Sequence, residues 1–296
     1  MKVMANGLQI EVDDRGPRNA TPVLLVMGLG MQLTGWPEEL VDELVRRGLR
    51  VIRFDNRDAG LSDGFDHLGV PSIGLAALRH MVRLPVRSPY AVSDMAADAV
   101  GVLDALGVQR AHVVGASLGG MIAQHVAASR PDRVASLGLI MTTSGSRRLP
   151  GPTAQARRAI LSRPASPGMD GQIAHSIRVF DVIGSPGFRP EPAQLRERVT
   201  TGLARAFRPA GTARQLLAVA ADADRTPLLA RIQAPTQVIH GMHDPLIPVA
   251  CGQDLARRIP GALGDFIDGM GHDLPQPLLA RFADRIAGNA ARAVAS

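Results

Sequence analysis

The pentapeptide Gly115-Ala116-Ser117-Leu118-Gly119 sets a hydroxyl between two glycines, the residue type that lets a backbone turn most sharply. A serine hydroxyl is a weak nucleophile near neutral pH. It needs a base to take its proton and a third group to orient that base. Two later segments supply both, in the chain order Ser, acid, His: Asp244 within His240-Gly241-Met242-His243-Asp244-Pro245, and His272 within Gly269-Met270-Gly271-His272-Asp273. Asp268 is the second candidate for the acid. A carbonyl attacked by such a serine becomes an oxyanion and requires preorganised N–H donors. The backbone N–H of Leu118, directly after the serine, is one, and Met27-Gly28-Leu29-Gly30 offers the second, assigned to Leu29. A bare Gly-x-Ser-x-Gly is more often an ordinary turn, so the reading rests on where the segment falls and on its partners.

The surrounding pattern supplies that setting. Leu8, Ile10 and Val12 alternate with polar residues, and residues 22–27 form a continuous apolar run, which predicts a half-buried strand and then a fully buried one. Leu40, Val41, Leu44 and Val45 predict a helix over 36–47 that closes on Gly48, followed by a strand over 50–54. The same alternation predicts a helix over 94–106, a strand over 111–115, a helix over 118–128 and a strand over 134–141. Ser117 therefore falls at a strand-to-helix turn. Between 145 and 225 eight prolines punctuate short helical stretches and no strand signal appears. The strand pattern returns over 236–240, then a helix over 249–259, a strand over 265–267 and a helix over 277–286. The expectation is a mostly parallel sheet with helices on both faces. Its core spans 1–144 and 226–296, interrupted by a helical cap over 145–225 and by a smaller insertion over 64–89. The three reactive side chains then come from loops at one edge of the sheet.

Composition narrows the function. The chain has 296 residues, 46% hydrophobic and 20% charged, and Cys251 is its single cysteine, so an internal disulfide or a cysteine-rich metal site is excluded. Cys251 itself reads as a buried structural thiol, and His243 as a loop residue. No metal and no cofactor are expected: Gly28-x-Gly30 lacks the third glycine of a dinucleotide fingerprint. No apolar run has signal-peptide or membrane-spanning length, so a soluble cytoplasmic protein with no membrane partner is expected. The net charge is +6 and all but one of the 33 basic residues are arginine, but aromatics are only 3%, which leaves few stacking platforms for a nucleic acid. The charge is uneven. Residues 145–225 hold thirteen arginines against six carboxylates, while the rest is close to neutral; solvated cap faces are the simplest account, and steering of anionic substrates the alternative.

Taken together, the glycine loop, Gly115 to Gly119, the Asp244 turn and the His272 loop resemble the α/β-hydrolase superfamily over nearly the whole chain. Met27-Gly28-Leu29-Gly30-Met31 with Trp36, and Arg53-Phe54-Asp55-Asn56-Arg57-Asp58-x-Gly60-x-Ser62, are similar to the esterase group that includes aclacinomycin methylesterase and bacterial carboxylesterases. Met27 stands where a histidine is common in the wider superfamily. The resemblance implies a carboxylesterase acting on a small-molecule ester or lactone, a polyketide or macrolide ester among them, as a monomer or homodimer. Asp55, Arg57 and Ser62 would brace their loop. The cap would supply pocket walls, with Ile173, Ile177 and Phe180 as candidates beside Gly28. Ser117 stands where dehalogenases and epoxide hydrolases carry aspartate, and the one tryptophan, Trp36, lies outside the half where carbon–carbon bond hydrolases carry theirs. Haloperoxidase-like perhydrolysis would use the same triad, and a binding protein could keep the fold without turnover.

Overall fold

A computed structural model describes residues 1–82, 84–222 and 224–293. In chain order the elements are β1 (Lys2–Ala5), β2 (Leu8–Arg15), β3 (Thr21–Val26), α1 (Glu38–Arg46), β4 (Leu49–Phe54), α2 (Ile73–Met81), α3 (Val92–Ala105), β5 (Ala111–Ala116), α4 (Leu118–Ser129) and β6 (Val134–Ile140). Four helices follow: α5 (Ala154–Leu161), α6 (Gly168–Ile183), α7 (Pro192–Arg205) and α8 (Pro209–Ala221). The chain then returns through α9 (Thr226–Leu229), β7 (Thr236–Gly241), α10 (Val249–Arg258), β8 (Leu263–Ile267) and α11 (Leu279–Arg292).

The strands form one eight-stranded sheet in the order β1-β2-β4-β3-β5-β6-β7-β8. Only the β1–β2 and β2–β4 pairs are antiparallel. The other pairs are parallel, and their register decides where the loops meet: Val26 lies opposite Gly115, Ala116 opposite Ile140, and Gly241 opposite Ile267. The loops after β3, β5, β7 and β8 therefore leave the same edge.

The apolar run of β3 is continuous because both of its faces are covered. Val23 and Leu25 pack with the α1 and α11 residues Leu40, Leu44, Phe282 and Ile286, whereas Leu24 and Val26 face Met95, Leu103 and Ile122 of α3 and α4. Burying one such side chain contributes roughly 1.5–3 kcal/mol, so the central strands anchor the molecule. The helices between β6 and β7 form a separate layer. There α6 and α7 pack around Ile173, Leu195 and Val199, and α2, from the smaller insertion, packs on α8.

Beyond the short helices α2 and α9, which the sequence pattern does not announce, two further elements differ from the sequence expectation. β1 joins β2 through Asn6-Gly7, both with positive φ; this is the hairpin pair that twists with the strands, but β1 is too short to carry a periodic signal. α11 runs to Arg292 because buried Asn289 donates from Nδ2 to the carbonyls of Leu137 and Pro235 and Ala290 is also buried. Neither is a large apolar residue.

His112 of β5 sits inside this core with Nδ1 2.8 Å from Ser136 Oγ. Burial, with Arg110 nearby, lowers its pKa to about 4. An unfolded chain takes up this proton near pH 6.5, so the contribution is complete above that pH and is lost as the pH falls toward 4. His112→Gln is expected to remove about 3 kcal/mol of the decline in urea-unfolding free energy between pH 7 and pH 4. An identical decline in variant and parent would assign it to other groups.

Candidate active site

Ser117 takes φ +55° and ψ −119° between β5 and α4. This left-handed backbone is uncommon for a residue with a Cβ and costs on the order of 1–3 kcal/mol unless neighbours hold it. They do: its N–H donates to Ile140 O at 2.9 Å, and its carbonyl accepts from Thr142 Oγ1 at 2.7 Å and from the Gly120 N–H at 3.0 Å. The flanking glycines are required by space. A Cβ on Gly115 would overlap the Gly119 carbonyl, and one on Gly119 would overlap the Val26 carbonyl.

His272 Nε2 lies 3.0 Å from Ser117 Oγ, and His272 Nδ1 lies 2.7 Å from Asp244 Oδ2. The other oxygen, Asp244 Oδ1, accepts the N–H groups of Leu246 at 2.9 Å and Ile247 at 2.8 Å. Burial alone would raise the Asp244 pKa; the facing His272, with His240 behind, outweighs this and holds the carboxyl well below the usual carboxylate range. Asp268, the other candidate acid, turns elsewhere: its side chain is 85% exposed and faces His243 at 3.5 Å.

The glycine loop lies directly over the serine. A Cβ on Gly28 would stand 3.1 Å from Ser117 Cβ. Asn56 Nδ2 donates to Met27 O at 2.9 Å, and Asp55 Oδ1 accepts the Leu33 N–H at 2.7 Å. Leu118 opens α4, where the first N–H groups of a helix have no intrahelical acceptor and present positive charge. Asp55, Ser62 and Arg57 brace the next loop: Ser62 Oγ donates to Asp55 O at 2.6 Å, and Arg57 forms a two-bond pair with buried Asp98.

The cap residues divide. Ile173 is buried between α6 and α7 as part of the cap's own core, and is not in the lining of the cavity beside it. Ile177 and Phe180 line a cavity of about 350 Å³ bounded also by Ser185, Arg198 and Asp273, the residue after His272. Ser117 is not in its lining. Nine of the thirteen cap arginines are exposed, as solvated faces would have them, and the other four are turned toward partners. Buried Arg214 grips both oxygens of Asp58 and also Asp66, Arg205 pairs with Asp55, Arg208 donates to Gly60 O, and Arg225 pairs with Asp222. Three of those carboxylates, at 55, 58 and 66, lie in the first core segment, outside the span in which the excess was counted.

Sequence reasoning missed His240, Thr142 and Gln215. Their partners lie on other elements, and only the strand position of His240 hinted at burial. Buried Cys251 has its thiol pushed up by burial, 3.7 Å from Pro150 O. Among the described residues no group of three or more His, Cys, Asp or Glu could hold a metal, and no helix is long and apolar enough to cross a membrane.

A family model described as the alpha/beta hydrolase fold matches residues 21–275. The chain belongs to this family. A rhodomycin D methylesterase from Streptomyces sp. (strain C5) is 32% identical over 286 residues, 88% of each protein. A pimeloyl-[acyl-carrier protein] methyl ester esterase from Chromobacterium violaceum is 36% identical over 192 residues, 62% of this chain and 72% of that one. The crystal structure of the enol-lactonase from Burkholderia xenovorans LB400 superposes with a TM-score of 0.71 at 24% identity, covering 98% of this chain and 99% of that one, a likeness of fold. By sequence the chain stands among the ester hydrolases of the family.

Gly119→Ala is expected to destabilise the protein by about 3 kcal/mol or more, since backbone atoms must move to admit the methyl group. The measurement is the urea midpoint; parent-like stability would mean that α4 can retreat from β3.

Proposed function

We propose that the protein is a serine carboxylesterase that works through an acyl-enzyme. Ser117 Oγ attacks the ester carbonyl while His272 Nε2 takes its proton, and the tetrahedral oxyanion rests on the N–H groups of Leu29 and Leu118. His272 returns the proton to the departing alcohol. Water then enters, activated by the same imidazole, and releases the acid. Asp244 holds the imidazole in the tautomer with Nδ1 protonated and stabilises the imidazolium. The observation that carries this reading is the continuous chain Ser117 Oγ, His272, Asp244 at 3.0 and 2.7 Å, set on a serine whose own backbone is pinned on both sides.

For the substrate, two relatives named for methyl ester cleavage favour methyl esters, those of polyketide acids among them. Lactones present the same carbonyl. No cofactor takes part in the proposed steps.

The test is a panel of methyl, short-chain p-nitrophenyl and lactone substrates. Turnover is expected for at least one methyl ester and is expected to vanish in Ser117→Ala. Activity that survives in Ser117→Ala, or no turnover of any ester or lactone by the parent, would remove the proposal. Asp244→Asn is expected to keep the fold and to lower kcat by about four orders of magnitude, while Asp268→Asn stays within about twofold of the parent. Equal losses in the two variants would contradict the assignment of the acid.

A further inference from the structure

Gln215, on α8 of the cap, is completely buried. Its side-chain amide bridges two core segments: Oε1 accepts the Gly30 N–H at 2.8 Å and Nε2 donates to Arg57 O at 2.7 Å. The two partners fix which way the amide points, because a flipped amide would set oxygen against oxygen and N–H against N–H. The loop bears on α8 at this point. Gly30 has φ +65°, and a Cβ there would come within 2.6 Å of Thr212 Oγ1. The next N–H, that of Met31, turns back to Gly28 O at 3.2 Å. At the start of the loop, Met27 O is held by Asn56. Leu29 thus lies in a short turn anchored on both sides, and its peptide has little room to rotate.

We propose that Gln215 is a positioning residue for the oxyanion site: from the cap, it holds the glycine loop so that the Leu29 N–H faces the carbonyl oxygen of a substrate acylating Ser117. Gln215 touches neither substrate nor triad. The second oxyanion donor is set by a helix outside the sheet. The kinetic part of this inference rests on the carboxylesterase reading, and the structural part stands without it.

The experiment compares parent, Gln215→Leu and Arg208→Ala. Arg208 also ties the cap to the core, through Gly60 O, but makes no contact with the glycine loop and serves as the control for a loosened cap. Two quantities are read: kcat and KM on the best ester, and hydrogen exchange of the segment 27–33, which does not depend on turnover. Gln215→Leu is expected to lower kcat about 10- to 100-fold, less than or equal to the loss of a whole oxyanion donor, with KM within about twofold. Exchange at Gly30 is expected to rise at least about tenfold as its acceptor is lost. Arg208→Ala should change neither. Parent-like kcat or parent-like Gly30 exchange in Gln215→Leu would overturn the proposal, and so would an equal loss of kcat in Arg208→Ala. If Gln215→Leu does not fold, Gln215→Asn, one methylene shorter, takes the same measurements with the same expected directions. Should Ser117→Ala retain activity, the ester reading fails, and the Gly30 exchange decides the positioning claim by itself.

Discussion

The approach of α4 to the ends of β3 and β5 is the constraint on which the site depends. Backbone meets backbone there, with no side chain between Gly119 and the Val26 carbonyl. Only glycine permits that distance, and the distance obliges the residue joining β5 to α4 to double back through a left-handed conformation. Ser117 is that residue. Its hydroxyl consequently stands clear of the sheet edge, its following N–H opens the helix, and the loop after β3 lies against its Cβ. The parallel register of β7 with β8 then brings the Asp244 and His272 loops to the same edge. A backbone clash avoided at two glycines thus fixes the place of the Ser117 hydroxyl, of the Leu118 N–H and of the glycine loop above them.

Much of this was legible in the order of residues, for physical reasons that also explain the gaps. Strands covered on both faces read as apolar runs, unbroken in β3 and shorter in β5 and β7, and Ser117 was readable because its requirement for small flanking residues is local. The choice between Asp244 and Asp268 was harder, since both follow strands that end at one edge. The two differ in the amides of Leu246 and Ile247, which turn the Asp244 carboxylate inward toward His272, whereas Asp268 faces solvent. Helical spacing marked Ile173, Ile177 and Phe180 as apolar without revealing that the first is buried against α7 while the other two also border a cavity. Net charge carries no information about partners distant in sequence: Arg214 and Asp58 are 156 residues apart.

That pair belongs to a larger arrangement. Arg205, Arg208, Arg214 and Gln215 bind the end of the cap to the loops after β3 and β4. At its other side the cap reaches the His272 loop: the His272 N–H donates to Ile183 O at 2.7 Å, and the Gly271 N–H to Ser185 Oγ at 2.9 Å. Buried charged pairs of the Arg214–Asp58 kind add little net stability over an apolar contact but are costly to break singly. Their effect is to specify one seating of the cap among many.

Because the cap holds backbone on both the glycine loop and the His272 loop, it is no detachable roof. Shortening it to admit bulkier substrates would release the glycine loop and the histidine loop together. Change in this layer is therefore more easily borne by side chains such as Ile177 and Phe180 than by the lengths of the helices that carry them or by their attachment points.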